Sequence, residues 1–121
     1  MDAKEYVKIR EDGIDLEDNT ISKAVEALES SEEAGVLAKH AQRCILAISS
    51  YKLRSRIKKS RNHPTAIPTM AAEIVAGMLY RRAYQLAEDI KKYDEADRNV
   101  RRLEEGIKYK LEIRESKRRV K

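Results

Sequence analysis

Tryptophan and phenylalanine are both absent from this 121-residue sequence, so its only aromatic residues of the Phe, Trp and Tyr class are six tyrosines. A hydrophobic core must therefore be aliphatic, and the 41% hydrophobic fraction is rich in Ala, Ile and Leu. Cysteine is nearly absent too: Cys44 stands alone, cannot form an internal disulfide, and gives no sign of an oxidising compartment. Only four glycines are present, and none forms a phosphate-cradling loop or a nucleophile elbow. No Glu-x-x-His pair of the di-iron kind occurs. Long apolar runs are also missing, and the start Met1-Asp2-Ala3-Lys4-Glu5 lacks the apolar core of a signal peptide. The expectation is a soluble protein made in the cytoplasm, with no membrane partner.

What the chain does have is charge. Asp, Glu, Lys and Arg make up 39% of residues, against roughly 25% in an average domain. That excess suits a small helical protein whose helices each show one face to water, or one stable at high temperature. The length fits one domain. Its net charge of +5 hides an asymmetry: residues 1–33 hold 11 acidic and 4 basic side chains, a balance of −7 that leaves +12 for the other 88 residues. Opposite fields of this kind suit a head-to-tail contact between copies.

The chain is organised around residues 64–113. Ile67, Ala71, Ile74, Val75, Met78, Leu79, Leu86 and Ile90 recur at three-and-four spacing and predict a helix opened by Pro68, with Ala76, Gly77 and Ala83 leaving room for a close neighbour. The neighbour is predicted from Tyr93, Ala96, Val100 and Leu103, ending at Gly106. Upstream, a further helix is expected from Leu37, Ala41, Cys44, Ile45, Ile48 and Tyr51, opened by a capping box at Ser30 and Glu33. The long helices are placed at 32–59, 66–91 and 94–105, and a short one over 21–28 is capped by Asn19 or Thr20. Ile45, Ile48, Ile74 and Met78 are expected in the core. Residues 1–18 allow two readings, a hairpin turning at Asp12-Gly13 or a short helical turn followed by a loop.

After Gly106 the period changes. Ile107, Tyr109, Leu111 and Ile113 alternate with Lys108, Lys110, Glu112 and Arg114, which is a strand's period, while the competing reading continues the helix to Lys117 through Gly106. The fold class is thus all-α: a small bundle of about four helices over residues 1–106, followed by an extended basic C-terminal tail over 107–121. As a strand lacking a partner in its own chain, the tail would dock on another molecule through Ile107, Tyr109, Leu111 and Ile113.

Chemistry for catalysis is not found. His40 and Cys44 share a helix face, but two ligands do not make a zinc site, and no cofactor is implied. Asp94, Glu95 and Asp97 look like an acidic cluster but fall where helix N-termini favour acids. The run Lys52, Arg54, Arg56, Lys58, Lys59 and Arg61 is the better candidate: six cations over ten residues can neutralise phosphates, and Tyr51 could stack a base. These basic residues are candidates for facing DNA or for contacting another subunit. A small basic helical nucleic-acid-binding protein is one reading, and a generic helical scaffold is another.

A third reading comes from a resemblance. The residues 41–51 with Leu53 and Arg54, then 64–67, the run Ile-Val-Ala-Gly-Met-Leu-Tyr-Arg-Arg at 74–82, Tyr93-Asp94-Glu95-Ala96, and Leu103 with residues 106–111 together resemble the small helical head-tail connector proteins of tailed phages. The helix at 21–28 and the basic tail after Arg114 depart from that pattern. The resemblance implies a non-enzymatic structural protein of the virion, located at the head-tail junction. It implies a homo-oligomeric ring, often a dodecamer, that binds the portal protein, extends the DNA channel and docks a tail or stopper protein.

Overall fold

The computed structural model describes residues 20–57 and 66–119, which form four helices and, among the described residues, no strand. They are α1 (Thr20–Ser30), α2 (Ala34–Ile57), α3 (Ala66–Leu86) and α4 (Ile90–Arg119). The all-α expectation holds. Residues 1–19, with both readings of their opening segment, lie outside the described residues, as do Lys58, Lys59, Arg61 and Pro64.

α3 is the centre, packed against all three other helices. Its sequence explains why. Ala71, Ala72, Ile74, Val75, Ala76, Met78 and Leu79 are all buried, so the helix is apolar nearly all round in its middle rather than on one stripe, as a helix covered from several sides must be. Only α3 can therefore anchor both α2 and α4. α2 contributes Leu37, Ala41, Cys44 and Ile48, and α1 contributes Ile21, Ala24, Val25 and Ala27. Ile45 is the exception to the expected core: it is 44% exposed, because it lies one residue round the helix from the buried Cys44–Ile48 row.

α3 and α4 run antiparallel. As the α3 partner steps back from Arg81 to Gly77 to Met70, the α4 partner steps forward from Asp97 to Val100 to Gly106. Both glycines sit in this seam. A methyl added at Gly77 would meet Val100 Cγ2 at 2.7 Å, and one added at Gly106 would meet Met70 Cε at 2.8 Å. Gly106 is thus a point of close helix approach and not the end of a helix.

This corrects the reading of residues 107–121 as an extended tail. α4 runs on to Arg119, and the stretch that alternates like a strand is helical. Ile107 and Leu111, four apart, continue the seam of Val100 and Leu103. Tyr109 and Ile113, also four apart, occupy a neighbouring, more exposed face. A period of two over only four apolar residues contains two i,i+4 pairs, so it fits a helix equally well.

The break between α3 and α4 lies instead at residues 87–89. The Asp89 N–H donates to the Tyr84 carbonyl at 2.9 Å and the Glu88 N–H to the Gln85 carbonyl at 3.2 Å. This is the paired hydrogen-bond pattern that closes a helix on a left-handed residue. Glu88 holds that position, with φ at 59°, where glycine is usual. Asp89 Oδ1 then accepts from the Lys92 N–H at 3.2 Å and caps α4. At the other turn Ser30 ends α1, its hydroxyl donating to the Glu26 carbonyl at 2.7 Å. Ser31 Oγ, rather than Ser30, accepts from the Glu33 N–H at 3.2 Å ahead of α2.

Candidate functional site

The helix directions sort the charges. α2 runs antiparallel to α3: Cys44 lies near Tyr80, and with that contact a parallel pair would set Ile57 and Ala66 about 40 Å apart, farther than the nine Cα–Cα steps between them can span at about 3.3–3.6 Å each. The C-terminal ends of α2 and α4 therefore share one end of the bundle with the start of α3. The α1–α2 and α3–α4 turns share the other.

At the first end stand Lys52, Arg54 and Arg56 of α2 with Lys108, Lys110, Arg114, Lys117, Arg118 and Arg119 of α4. Only Glu112 and Glu115 on those same stretches oppose them. Lys108 and Lys110 are exposed. Since Gly106 lies opposite Met70, the last two turns of α4 project past the first residue of α3, by roughly 12 Å at 1.5 Å per residue. The opposite end carries Glu32 and Glu33 in one turn, Glu88 and Asp89 in the other, and Asp94 and Glu95 at the start of α4. Arg82, Lys91 and Lys92 are cations at that end, fewer than its acids. The molecule is electrically polarised along its length, beyond the N-terminal asymmetry legible in the sequence.

The proposed docking residues do not form one face. Ile107 is fully buried, Leu111 is half-buried, and Tyr109 at 65% and Ile113 at 37% are exposed. Ile107 is a core residue because it closes the bottom of the α3–α4 seam. Of the basic run, Lys52, Arg54 and Arg56 lie on the last turns of α2, whereas Lys58, Lys59 and Arg61 fall outside the described residues, as does the side chain of Tyr51.

Asp97 has a definite job that the acidic-cluster reading missed. Its Oδ1 accepts from Arg81 Nη1 at 2.8 Å across the seam, and its Oδ2 lies 3.0 Å from Arg101 Nε one turn on. The pair joins α3 to α4. Asp94 and Glu95 are exposed on the first turns of α4.

Cys44 is fully buried, and His40 is half-buried one turn before it. The His40 pKa is held below its ordinary 6.5, first by burial and then by Arg43, Lys23 and Lys39. Among the described residues no three side chains of metal-ligating type come together. No described helix is long and apolar enough to cross a membrane.

A recess of about 560 Å³ opens beside the α3–α4 turn, lined by Tyr84, Gln85, Glu88, Asp89, Ile90 and Tyr93. The Tyr84 ring is already engaged there, stacked on Tyr80 with centroids 6.0 Å apart and carrying Lys92 Nζ at 5.7 Å. Burial, then Tyr84 and Cys44, push the Tyr80 hydroxyl pKa above 10.0. The recess was not foreseen, because it depends on the unmarked turn at Glu88, which brings Tyr93 back towards Tyr84.

No family model, no curated protein and no solved structure matches the chain. The virion, tailed-phage, head-tail connector, adaptor and portal-binding descriptions drawn from the resemblance are accordingly withdrawn, for they rest on soft apolar spacings and no comparison stands behind them.

Proposed function

We propose that this protein is a non-enzymatic helical module that binds nucleic acid through the basic end of its bundle. One observation carries the reading: the fold gathers the basic C-terminal turns of two helices far apart in sequence, α2 and α4, at one end. Cations in a helix's last turn have a local explanation in the helix dipole. In α4, however, they begin at Lys108, three turns before the end, and run on past the level of the first residue of α3. A phosphate backbone is the extended anion such an array fits, since each neutralised phosphate releases condensed counterions. Tyr109 is exposed beside the array on α4, and most of the array is charge, which meets the phosphate backbone rather than base edges.

The test is fluorescence anisotropy of the full chain with a 20-base-pair duplex over a salt series. Binding should weaken with a log–log slope of about −4 to −6, the slope expected for roughly five to seven phosphate contacts. Lys52→Glu/Arg54→Glu and Lys108→Glu/Lys110→Glu should each flatten that slope and weaken binding. Lys91→Ala/Lys92→Ala, at the acidic end, should leave both unchanged. No binding at low salt, or equal losses from both ends, would overturn the proposal.

A further inference from the structure

The recess at the α3–α4 turn is walled by aromatic rings and carboxylates. Tyr84 stands on the last turn of α3 and Tyr93 on the first turn of α4, and Ile90, 76% exposed, adds an apolar edge. The backbone ties these walls together: the Asp89 N–H donates to the Tyr84 carbonyl at 2.9 Å, and the Tyr93 N–H donates to the Asp89 carbonyl at 2.9 Å. Stacking on Tyr80 holds the Tyr84 ring further. The rest of the lining is Gln85 with the side chains of Glu88 and Asp89, so the lining holds two acids and no base. Arg82 is engaged with Gln85, its Nη1 donating to Oε1 at 2.8 Å. One Asp89 oxygen caps the Lys92 N–H, whereas the exposed Glu88 carboxylate has no partner among the described residues. The volume of about 560 Å³ falls within the roughly 300–1,000 Å³ of small-molecule sites. One ammonium is already there. Lys92 Nζ lies 5.7 Å from the Tyr84 centroid, inside the roughly 6 Å over which a ring face attracts a cation.

We infer that this recess binds a quaternary ammonium group, which displaces the Lys92 ammonium from Tyr84. The two acids of the lining disfavour an anion, and an uncharged apolar ligand would strip water from carboxylates without replacing it. Among cations, methylation decides. A primary ammonium is a compact, strongly hydrated charge, and Lys92 is exposed, so water competes with the ring for it. A methylated ammonium has no hydrogen bonds to lose and presents methyl groups that pack on the two tyrosine rings and on Ile90, while Glu88 and Asp89 balance its charge. The tied backbone of Tyr84, Asp89 and Tyr93 presents both rings before the ligand arrives, which limits the ordering that binding must impose. Two rings make a partial cage, so the head group alone should bind with Kd on the order of 1 mM. The site lies at the acidic end of the bundle and does not depend on nucleic-acid binding at the other.

Nuclear magnetic resonance of the isotope-labelled full chain tests it, with choline chloride titrated against sodium chloride at equal ionic strength. Amides of residues 84–93 should shift and saturate with choline and not with sodium. The uncharged isostere of choline, with carbon in place of nitrogen, should bind at least about tenfold more weakly, since it keeps the methyl groups and loses the charge. Tyr84→Leu and Tyr93→Leu should each weaken choline about tenfold, and Tyr84→Phe, which keeps the ring, should stay within about twofold of wild type. Glu88→Gln should weaken it about threefold at low salt. Lys92→Ala removes the resident cation and should tighten it about threefold. Because Tyr84→Phe and Lys92→Ala are expected to retain or gain binding, the test stands even if a leucine variant unfolds. A short peptide carrying trimethyllysine separates the sources: tighter binding than choline assigns the group to a protein partner, and equal binding to a free small molecule. Four outcomes overturn the inference: no saturating shift up to about 20 mM choline, equal binding of the isostere, full binding by folded leucine variants, or weaker binding by Lys92→Ala.

Discussion

Across the α3–α4 seam a carboxylate sits between two guanidinium groups, whereas across the α1–α2 seam an imidazole sits among three cations. The first hairpin is joined by Arg81, Asp97 and Arg101 and by two glycines that admit close contact. The second is short on the α1 side, with Ala24 and Ala27 among its four buried residues, and its His40 faces Lys23 of α1 as well as Arg43 and Lys39 of its own helix. One seam gains from its charges, while in the other burial and the neighbouring cations disfavour protonation of His40. The α1–α2 hairpin should accordingly be the weaker half, held mainly by what both hairpins share, the apolar middle of α3.

The largest effect should come from removing bulk where the hairpins meet. Ile74→Ala, at a site with no exposure, is expected to cost about 2–4 kcal/mol in urea unfolding, because transfer free energy and cavity formation add. Ile45→Ala should cost less than about 1 kcal/mol, since its side chain already meets solvent. Equal losses at the two sites would show that Ile45 of α2 is as buried as Ile74 of α3.

Next come the glycines, which separate close approach that is rigid from close approach that yields. Gly77→Ala drives a methyl into Val100, a branched side chain on the facing helix, and should cost about 1–2 kcal/mol despite the gain in helix propensity. Val100→Ala in the same chain should recover most of that loss relative to Val100→Ala alone. Gly106→Ala meets only the far end of Met70, which can swing away, so the propensity gain of about 0.8–1 kcal/mol should leave it neutral or stabilised.

Asp97→Asn tests the charge side of the comparison. It keeps the shape and removes the ionic part of one contact to half-buried Arg81 and one to exposed Arg101, for an expected loss of about 1 kcal/mol that shrinks in high salt. A loss unchanged by 1 M salt would assign the contribution to packing.

How much of this was legible follows from what each residue announces locally. The central helix could be read because Ala71, Ile74, Val75, Met78 and Leu79 state a helical period whatever surrounds them. Gly106 misled because a glycine looks the same in sequence whether it ends a helix or admits a methionine from a neighbour, and only the packing distinguishes the two. The true turn at Glu88 was missed for the converse reason, since a residue tolerant of ordinary angles was placed in the left-handed region. The charge polarity was half visible: the excess of acid in residues 1–33 is a sequence fact, but the meeting of the α2 and α4 ends depends on helix direction. Ile45 failed by a single residue of helical phase, about 100° of rotation.

Glu88 offers a small gain on the strong hairpin. With φ at 59° its Cβ is strained, so Glu88→Gly should stabilise by about 0.5–1 kcal/mol and raise the thermal midpoint by a few degrees. A loss would mean that the Glu88 side chain supports the turn by more than its backbone strain costs.

The smallest expected effect, and the one most specific to the weak hairpin, is its response to acid. Because burial and the cations Arg43, Lys23 and Lys39 depress the folded His40 pKa below 6.5, the unfolded chain binds this proton more readily than the folded one. Between the folded pKa and 6.5 the unfolded state holds more proton, so stability rises with pH there. The His40 contribution is complete above 6.5 and is lost as pH falls through the folded value. Thermal unfolding of wild type should therefore show a lower midpoint at pH 5 than at pH 7, and His40→Gln, which cannot titrate, should show a smaller drop over the same interval. Hydrogen exchange localises the effect: acid should loosen amides of α1 and the facing part of α2 before those at Val100 and Leu103 of α4. If His40→Gln keeps the whole acid sensitivity, the charge crowding at this seam is relieved by motion of the surrounding lysine and arginine side chains, and the contrast between the two hairpins rests on apolar packing alone.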